Sequence, residues 1–309
     1  MTGRSVVRMG ALALLWGSVF LWIELALTGL SPAVITATRC ALGALTLWVV
    51  ARLGRRRLPR RLWGHLAVAA FFCNALPFLL FAVGQRTVDS GVAGVLNATT
   101  PLFALLIGLV TGTDRGAVAL RLLGLVVGFG GVVLIFAPWR GTGVPVAGAV
   151  ALLGAAASYA VAFAYMGRKL VGKGAPVAVS AAQLVAATGL SALPLPFDRT
   201  PTTPNATAIV AVVVLGVFGT GCTFILNYRI IEEEGPTSAA TVGYLLPVVS
   251  VALGAVVLDE PLTPRVVVGM AVVLAGVALT RLALTRLALT PAGTGPVGAR
   301  QAPGRATRP

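Results

Sequence analysis

The chain is a duplication. Displacing the sequence by about 145 positions sets Ala239 over Ala93, Pro247 over Pro101, Glu260 over Asp114, Gly269 over Gly124 and Gly276 over Gly131. The proline precedes the acid by the same interval in both copies (247 to 260, 101 to 114), and so does the first glycine the second (269 to 276, 124 to 131). Upstream, Phe81 and Arg86 are matched by Phe224 and Arg229. Self-similarity on this scale constrains the architecture before any local feature does. It divides the chain into two similar halves, 1–137 and 138–282, and a basic tail, 283–309.

Each half is built for a solvent other than water. Of 309 residues, 57% are hydrophobic and 11% charged, whereas soluble domains carry about 25% charged residues. Apolar runs of the length a helix needs to cross about 30 Å of hydrocarbon recur along the sequence. They fall at about 9–28, 33–51, 62–83, 90–110, 120–137, 146–166, 177–195, 207–228, 238–258 and 266–281. The expected fold is an all-α polytopic membrane protein of ten transmembrane helices. Arg4 and Arg8 before the first run resemble the start of a secretory signal, but further runs follow at once and the segment reads as an uncleaved span.

Ten spans in two copies give five each, and an odd number inserts the second copy upside down relative to the first. The charges offer an independent check. With the N-terminus in the cytoplasm, 19 of the 24 Lys and Arg fall in inner connectors and tails, four (Arg86, Arg140, Arg199, Arg265) in outer connectors, and Arg39 within a span. Removing the five C-terminal ones, from Arg281 onward, leaves 14 against 4, which is the cytoplasmic bias of basic residues. The net charge of +15 is therefore a topology signal. It forms no basic-aromatic face of the kind that binds nucleic acid. The expected location is the cytoplasmic membrane, multi-pass, with both termini inside.

Glycines within the runs, as at Gly108 and Gly112 or Gly124 and Gly128, suit close helix packing in lipid. Pro77, Pro101 and Pro247 each remove a helical hydrogen bond and are expected to kink their helices, the last two at matched positions. The three cysteines (Cys40, Cys73, Cys222) stand singly in apolar runs without metal-ligand spacing and read as small core residues. From Pro291 onward the tail is Gly, Pro, Ala and Arg and is expected to be disordered.

These residues resemble the EamA-type family of the drug/metabolite transporter superfamily. The second copy carries the resemblance best, in Pro247, Leu258-Asp259-Glu260-Pro261-Leu262-Thr263, Gly269 and Gly276; the first contributes Trp16-Gly17-Ser18 and Arg39. In the first copy the turn departs from the pattern, reading Thr113-Asp114-Arg115 without the Leu-Thr pair. The resemblance spans about residues 9–280. It implies a permease, usually an exporter of amino acids, other metabolites or drugs, that works by alternating access.

Two ionisable side chains lie inside spans, Glu24 and Arg39. Each costs about 2.5–3.5 kcal/mol if left against lipid on insertion scales, so both should face protein or water. Counted at about 1.5 Å per residue from the outer helix ends, their depths agree within a few ångströms. Two readings stay open: an ion pair locking the first two spans, or a group that binds substrate or exchanges a proton. Trp16, Phe20 and Glu24, four residues apart, share one helical face. Asn74, Asn97, Tyr159, Tyr165, Gln183 and Tyr244 also need partners inside a bundle. With that stripe and Arg39 they are expected to line a mostly apolar cavity holding a few polar anchors.

No nucleophile, base and metal set for catalysis can be assembled, and the single histidine, His65, lies beside the Arg-rich connector as an interfacial residue. The acids Glu232-Glu233-Glu234 and Asp259-Glu260 read as solvated loop ends, helix caps or gate contacts. The expected partners are a small-molecule substrate and the lipid bilayer, with no cofactor and no metal. A non-transporting membrane enzyme or sensor would need intramembrane acids or histidines in pairs, or an appended soluble domain. An importer or lipid-linked flippase would share the fold.

Overall fold

The computed structural model describes residues 3–54, 60–111, 118–136, 145–170, 172–234, 242–243 and 245–289. Among the described residues every element is helical. In the first half these are α1 (Gly3–Gly17), α2 (Val19–Leu27), α3 (Pro32–Leu53), α4 (Trp63–Ala70), α5 (Leu76–Gly84), α6 (Ser90–Asn97), α7 (Thr100–Val110) and α8 (Val118–Phe136). In the second they are α9 (Val146–Lys169), α10 (Pro176–Ala192), α11 (Ala206–Gly216), α12 (Thr223–Glu234), α13 (Leu246–Val257) and α14 (Pro264–Leu289).

Seven helical segments are long and apolar enough to cross a membrane, and three shorter apolar helices lie at Leu122–Ile135, Leu246–Val257 and Pro264–Leu279. The protein is a multi-pass membrane protein. Large apolar side chains such as Val110, Val126 and Val256 point outward, as lipid-facing positions should. Part of the expected ninth run, the Gly235–Ser238 turn, the Thr113-Asp114-Arg115 turn, Arg140, Tyr244 and the tail from residue 290 onward lie outside the described residues.

The helices pair in a regular way. Taking the apolar runs in chain order, the second packs on the seventh, the fourth on the ninth, the fifth on the tenth, the third on the sixth and the first on the eighth. Advancing every number by five, with ten followed by one, turns this set of pairs into itself.

Two of the runs contain a stretch of π-helix, Phe71–Ala75 between α4 and α5 and Val217–Cys222 between α11 and α12. A π turn widens the helix by one residue and re-aims the side chains around it, and it concentrates at functional sites. Asn74 lies in the first and Thr220 in the second, 146 positions apart, the offset of Pro101 and Pro247.

The prolines act at interruptions. Pro77 is the second residue of α5, directly after the first π segment. Pro101 and Pro247 are likewise second in α7 and α13, following the turns at Ala98–Thr99 and at Leu245. The carbonyl that Pro101 leaves without an amide donor, that of Asn97, accepts the Thr100 hydroxyl at 2.7 Å instead. The side chain thereby satisfies a backbone group that lipid could not.

Helices α8 and α14 meet through glycine. A Cβ added to Gly276 would lie 2.5 Å from the Gly128 Cα and 2.7 Å from the Gly124 carbonyl oxygen. One on Gly131 would lie 2.8 Å from the Gly269 carbonyl oxygen. Backbone packed on backbone is the approach small residues permit in a membrane, and it explains the conserved spacing of both glycine pairs within the duplication. Gly276→Leu should therefore destabilise the purified protein by about 1–3 kcal/mol, the usual cost of overpacking, read as a lowered melting midpoint in detergent. Gly10→Ala, where an added Cβ meets nothing within 4 Å, is the control expected to leave that midpoint unchanged.

Candidate functional site

A cavity of about 580 Å³ opens between the two halves. Its walls come from α1, α2, α3, α5, α6, α7, both π segments, α9, α12, α13 and α14. Of the residues expected there, Trp16, Phe20, Arg39, Asn74, Asn97 and Tyr159 line it. Glu24, Tyr165 and Gln183 are not on its wall, and Tyr244 lies outside the described residues.

Arg39 is the cation of the site and is 5% exposed. Its Nε donates to the Thr220 hydroxyl at 2.9 Å. That hydroxyl in turn donates to the Leu215 carbonyl at 3.1 Å, five residues back along the chain. The guanidinium carbon stands 3.6 Å from the centre of the Phe78 ring, a cation–π contact that gains strength where water is excluded. No carboxylate among the described residues pairs with it. The one ion pair among them joins Arg8 to Glu233.

The proposed Glu24–Arg39 pair is thus not formed. The Gln85 side-chain amide donates to the Glu24 carboxylate at 3.4 Å and to the Phe20 carbonyl at 2.8 Å. Arg39 turns toward Phe78 and Thr220, while Glu24 turns toward Gln85 at the end of α5. Depth counted along a helix leaves its azimuth open.

Aromatic rings form one side of the cavity. Phe20 meets Phe81 edge to face at 5.5 Å, Phe81 lies 6.0 Å from Tyr159, and Tyr159 stacks on Phe163 at 5.8 Å. Polar groups are few. Gln183 stands behind the wall and donates to the Asn74 side-chain carbonyl at 2.6 Å, which fixes that amide in place. The Asn74 Nδ2 and the Asn97 Oδ1 are buried without a protein partner, a state that buried polar atoms rarely keep unless something else completes them. Tyr165 belongs to a different place, bonded to His65 Nδ1 at 2.7 Å.

Sequence reasoning missed Asn227 and Thr100 on the wall. Asn227 was detectable, being the single amide in its apolar run. Phe78, Phe81 and Phe163 were not, because a ring facing a cavity and a ring facing lipid look alike in sequence.

The bundle has two distinct rims. At one, Arg8 pairs with Glu233 and His65 with Tyr165. At the other, Asn205 caps α11 through the Ala208 amide at 2.8 Å and reaches the Thr28 carbonyl at 3.3 Å. There too the Glu260 carboxylate accepts the Ser90 and Gly91 amides at 2.7 and 2.9 Å. These amides begin α6, where unpaired N–H groups and the helix dipole both favour an anion. The acidic turn of the second copy is therefore a cap delivered from another part of the chain, and it joins α6 to the turn before α14. The cavity reaches from Phe20 and Phe81 toward the opposite rim, past Trp16, Met166 and Asn227.

Asp89, beside this cap, has its carboxyl pushed above the ordinary range, first by burial and then by the Glu260 charge. Ionisation of such an acid costs more in the folded than in the unfolded protein, so stability falls as pH rises from the unfolded value of about 3.9 through the raised folded one. The Asp89 side chain makes no cap bond to α6, so Asp89→Asn, of the same shape, removes that charge without removing a cap. The variant should match the parent near pH 4 and melt higher than it at pH 7; identical melting profiles over that range would refute the assignment.

Membrane-length helices around a solute-sized cavity with an apolar wall and a few polar anchors make a membrane permease. The sequence profile of the EamA-like transporter family matches residues 6–137 and again 146–282. The chain belongs to that family, and it is a membrane transporter. It is 28% identical over 265 residues to an uncharacterized transporter of Archaeoglobus fulgidus, covering 84% of this chain and 92% of that one. With the uncharacterized inner membrane transporter YedA of Escherichia coli it shares 26% over 256 residues, 79% of each chain. A solved crystal structure has the same fold, with a TM-score of 0.64 at 22% identity over 93% of this chain and 99% of its own.

Proposed function

We propose that the protein is a secondary transporter of the cytoplasmic membrane that exports a small organic solute by alternating access between two inverted five-helix halves, with both termini in the cytoplasm. The observation that carries this reading is Arg39, a permanent charge held at the wall of a central cavity with no carboxylate among the described residues to neutralise it. A cation kept in the membrane interior at that cost marks a solute pathway.

The rest of the site agrees with this reading. The helix pairs that interchange when the halves are exchanged are those expected of a repeat inserted twice in opposite senses. The bias of basic residues supports a cytoplasmic Arg8 rim and an outer Glu260 rim; in that orientation a cavity reaching past Trp16 and Asn227 would face the cytoplasm, and the Glu260 rim would be the closed gate. Rocking of the halves would break the Glu260 cap and the Asn205 contacts while closing the Arg8 rim. Both π segments lie beside the cavity, where a helix that can change its local winding is of use.

The test is uptake and counterflow in proteoliposomes with a panel of labelled amino acids, monocarboxylates and cationic drugs. At least one should move saturably, and Arg39→Gln, still folded by gel filtration, should slow it by about tenfold or more, as expected for loss of a charge-assisted contact. Folded protein that moves no member of the panel would overturn the reading.

A further inference from the structure

We infer that the cavity takes a monoanionic carboxylate with an apolar body, in preference to a zwitterion or a neutral solute; this rests on the transporter reading and names the chemistry of its cargo. The charge of the wall is one-sided. Arg39 is the cation, and none of the described lining residues is acidic. Glu24 lies off the wall in the hold of Gln85, and Glu233 is engaged by Arg8 at the rim.

The guanidinium has donors to spare. Nε is the single nitrogen of Arg39 with a hydrogen-bond partner among the described residues. A guanidinium presents five N–H groups in a fork that fits a carboxylate with two parallel bonds. Thr220 and the Phe78 face hold that fork in place, the first through Nε and the second through the π cloud. Little rotamer freedom is then left to lose when an anion binds.

The remaining wall sets the rest of the ligand. The Phe81, Tyr159 and Phe163 rings offer a surface for an aromatic or branched apolar body. Asn74 and Asn97 stand on the same wall and add two uncharged amides to it. An ammonium on the same ligand would be stripped of water beside the guanidinium with no carboxylate among the described lining residues to receive it, the situation in which burying a charge costs most. A carboxylate alone would neutralise Arg39.

Three compounds with one skeleton separate these cases: 3-phenylpropanoate, its amide 3-phenylpropionamide, and phenylalanine. Calorimetric titration of the purified full-length protein should show saturable binding of 3-phenylpropanoate, with the amide and phenylalanine each weaker by about tenfold or more. In Arg39→Gln the preference for acid over amide should vanish, and Arg39→Lys should restore part of it. The comparison in unaltered protein decides the matter even if Arg39→Gln does not fold. Equal binding of acid and amide, tighter binding of phenylalanine, or binding of none of the three would overturn the inference. Proteoliposomes keep it apart from the transporter reading. Binding of the acid without movement would sink transport and leave the anion site standing, whereas movement with no preference for acid over amide would do the reverse.

Discussion

A guanidinium inside a membrane has to be surrounded by something other than lipid, and much of the interior of this protein follows from where Arg39 is put. The side chain cannot lose its proton, so its charge must be met by hydrogen bonds, by aromatic faces or by water. The chain answers with Thr220 from one π segment and the Phe78 ring from the helix that follows the other. The first π segment also supplies Asn74, held by Gln183. Both departures from regular helix thus serve the same cavity, one from each half. The open side of the guanidinium is the cavity.

The surrounding bundle is arranged to keep that space while remaining able to move. Packing of α8 against α14 is close, backbone on backbone through Gly128, Gly131, Gly269 and Gly276. By contrast, the rims are joined by a handful of polar contacts, each individually modest. An exposed pair such as Arg8–Glu233 contributes little to stability, and the Glu260 cap is two hydrogen bonds to amides at a helix start. Strong contacts lie where the helices should stay together, and weaker ones where a gate would open.

Much of this was legible in the sequence, and the limits of legibility have physical causes. The duplication and the ten apolar runs follow from spacing and hydropathy, which do not depend on how helices are rotated. Arg39, Asn74, Asn97 and Tyr159 could be assigned to the interior because a polar group has nowhere else to go in hydrocarbon. Which neighbour each one meets depends on azimuth and local winding. That is why Glu24 was set beside Arg39 and is found with Gln85, and why Tyr165, assigned to the cavity, bonds His65 at a rim. The π segments leave no mark in composition, and the aromatic wall is made of residues that would be equally at home against lipid. Glu260 shows the converse: its acidic turn stood out, with a helix cap among its readings, yet which helix it caps appears only when α6 is brought to it from 170 positions away.

The account depends on the two halves entering the membrane in opposite senses, since only then can equivalent helices close a chamber around one cation and expose it to each side in turn. Thr28 and Lys173 are 145 positions apart and both exposed, in the connector of the first two spans and of the sixth and seventh. With Cys40, Cys73 and Cys222 replaced by serine, Thr28→Cys and Lys173→Cys would each carry a single thiol. A membrane-impermeant maleimide added to intact cells should label Thr28→Cys at once and Lys173→Cys only after the membrane is permeabilised. Labelling of both from the same side would contradict the account.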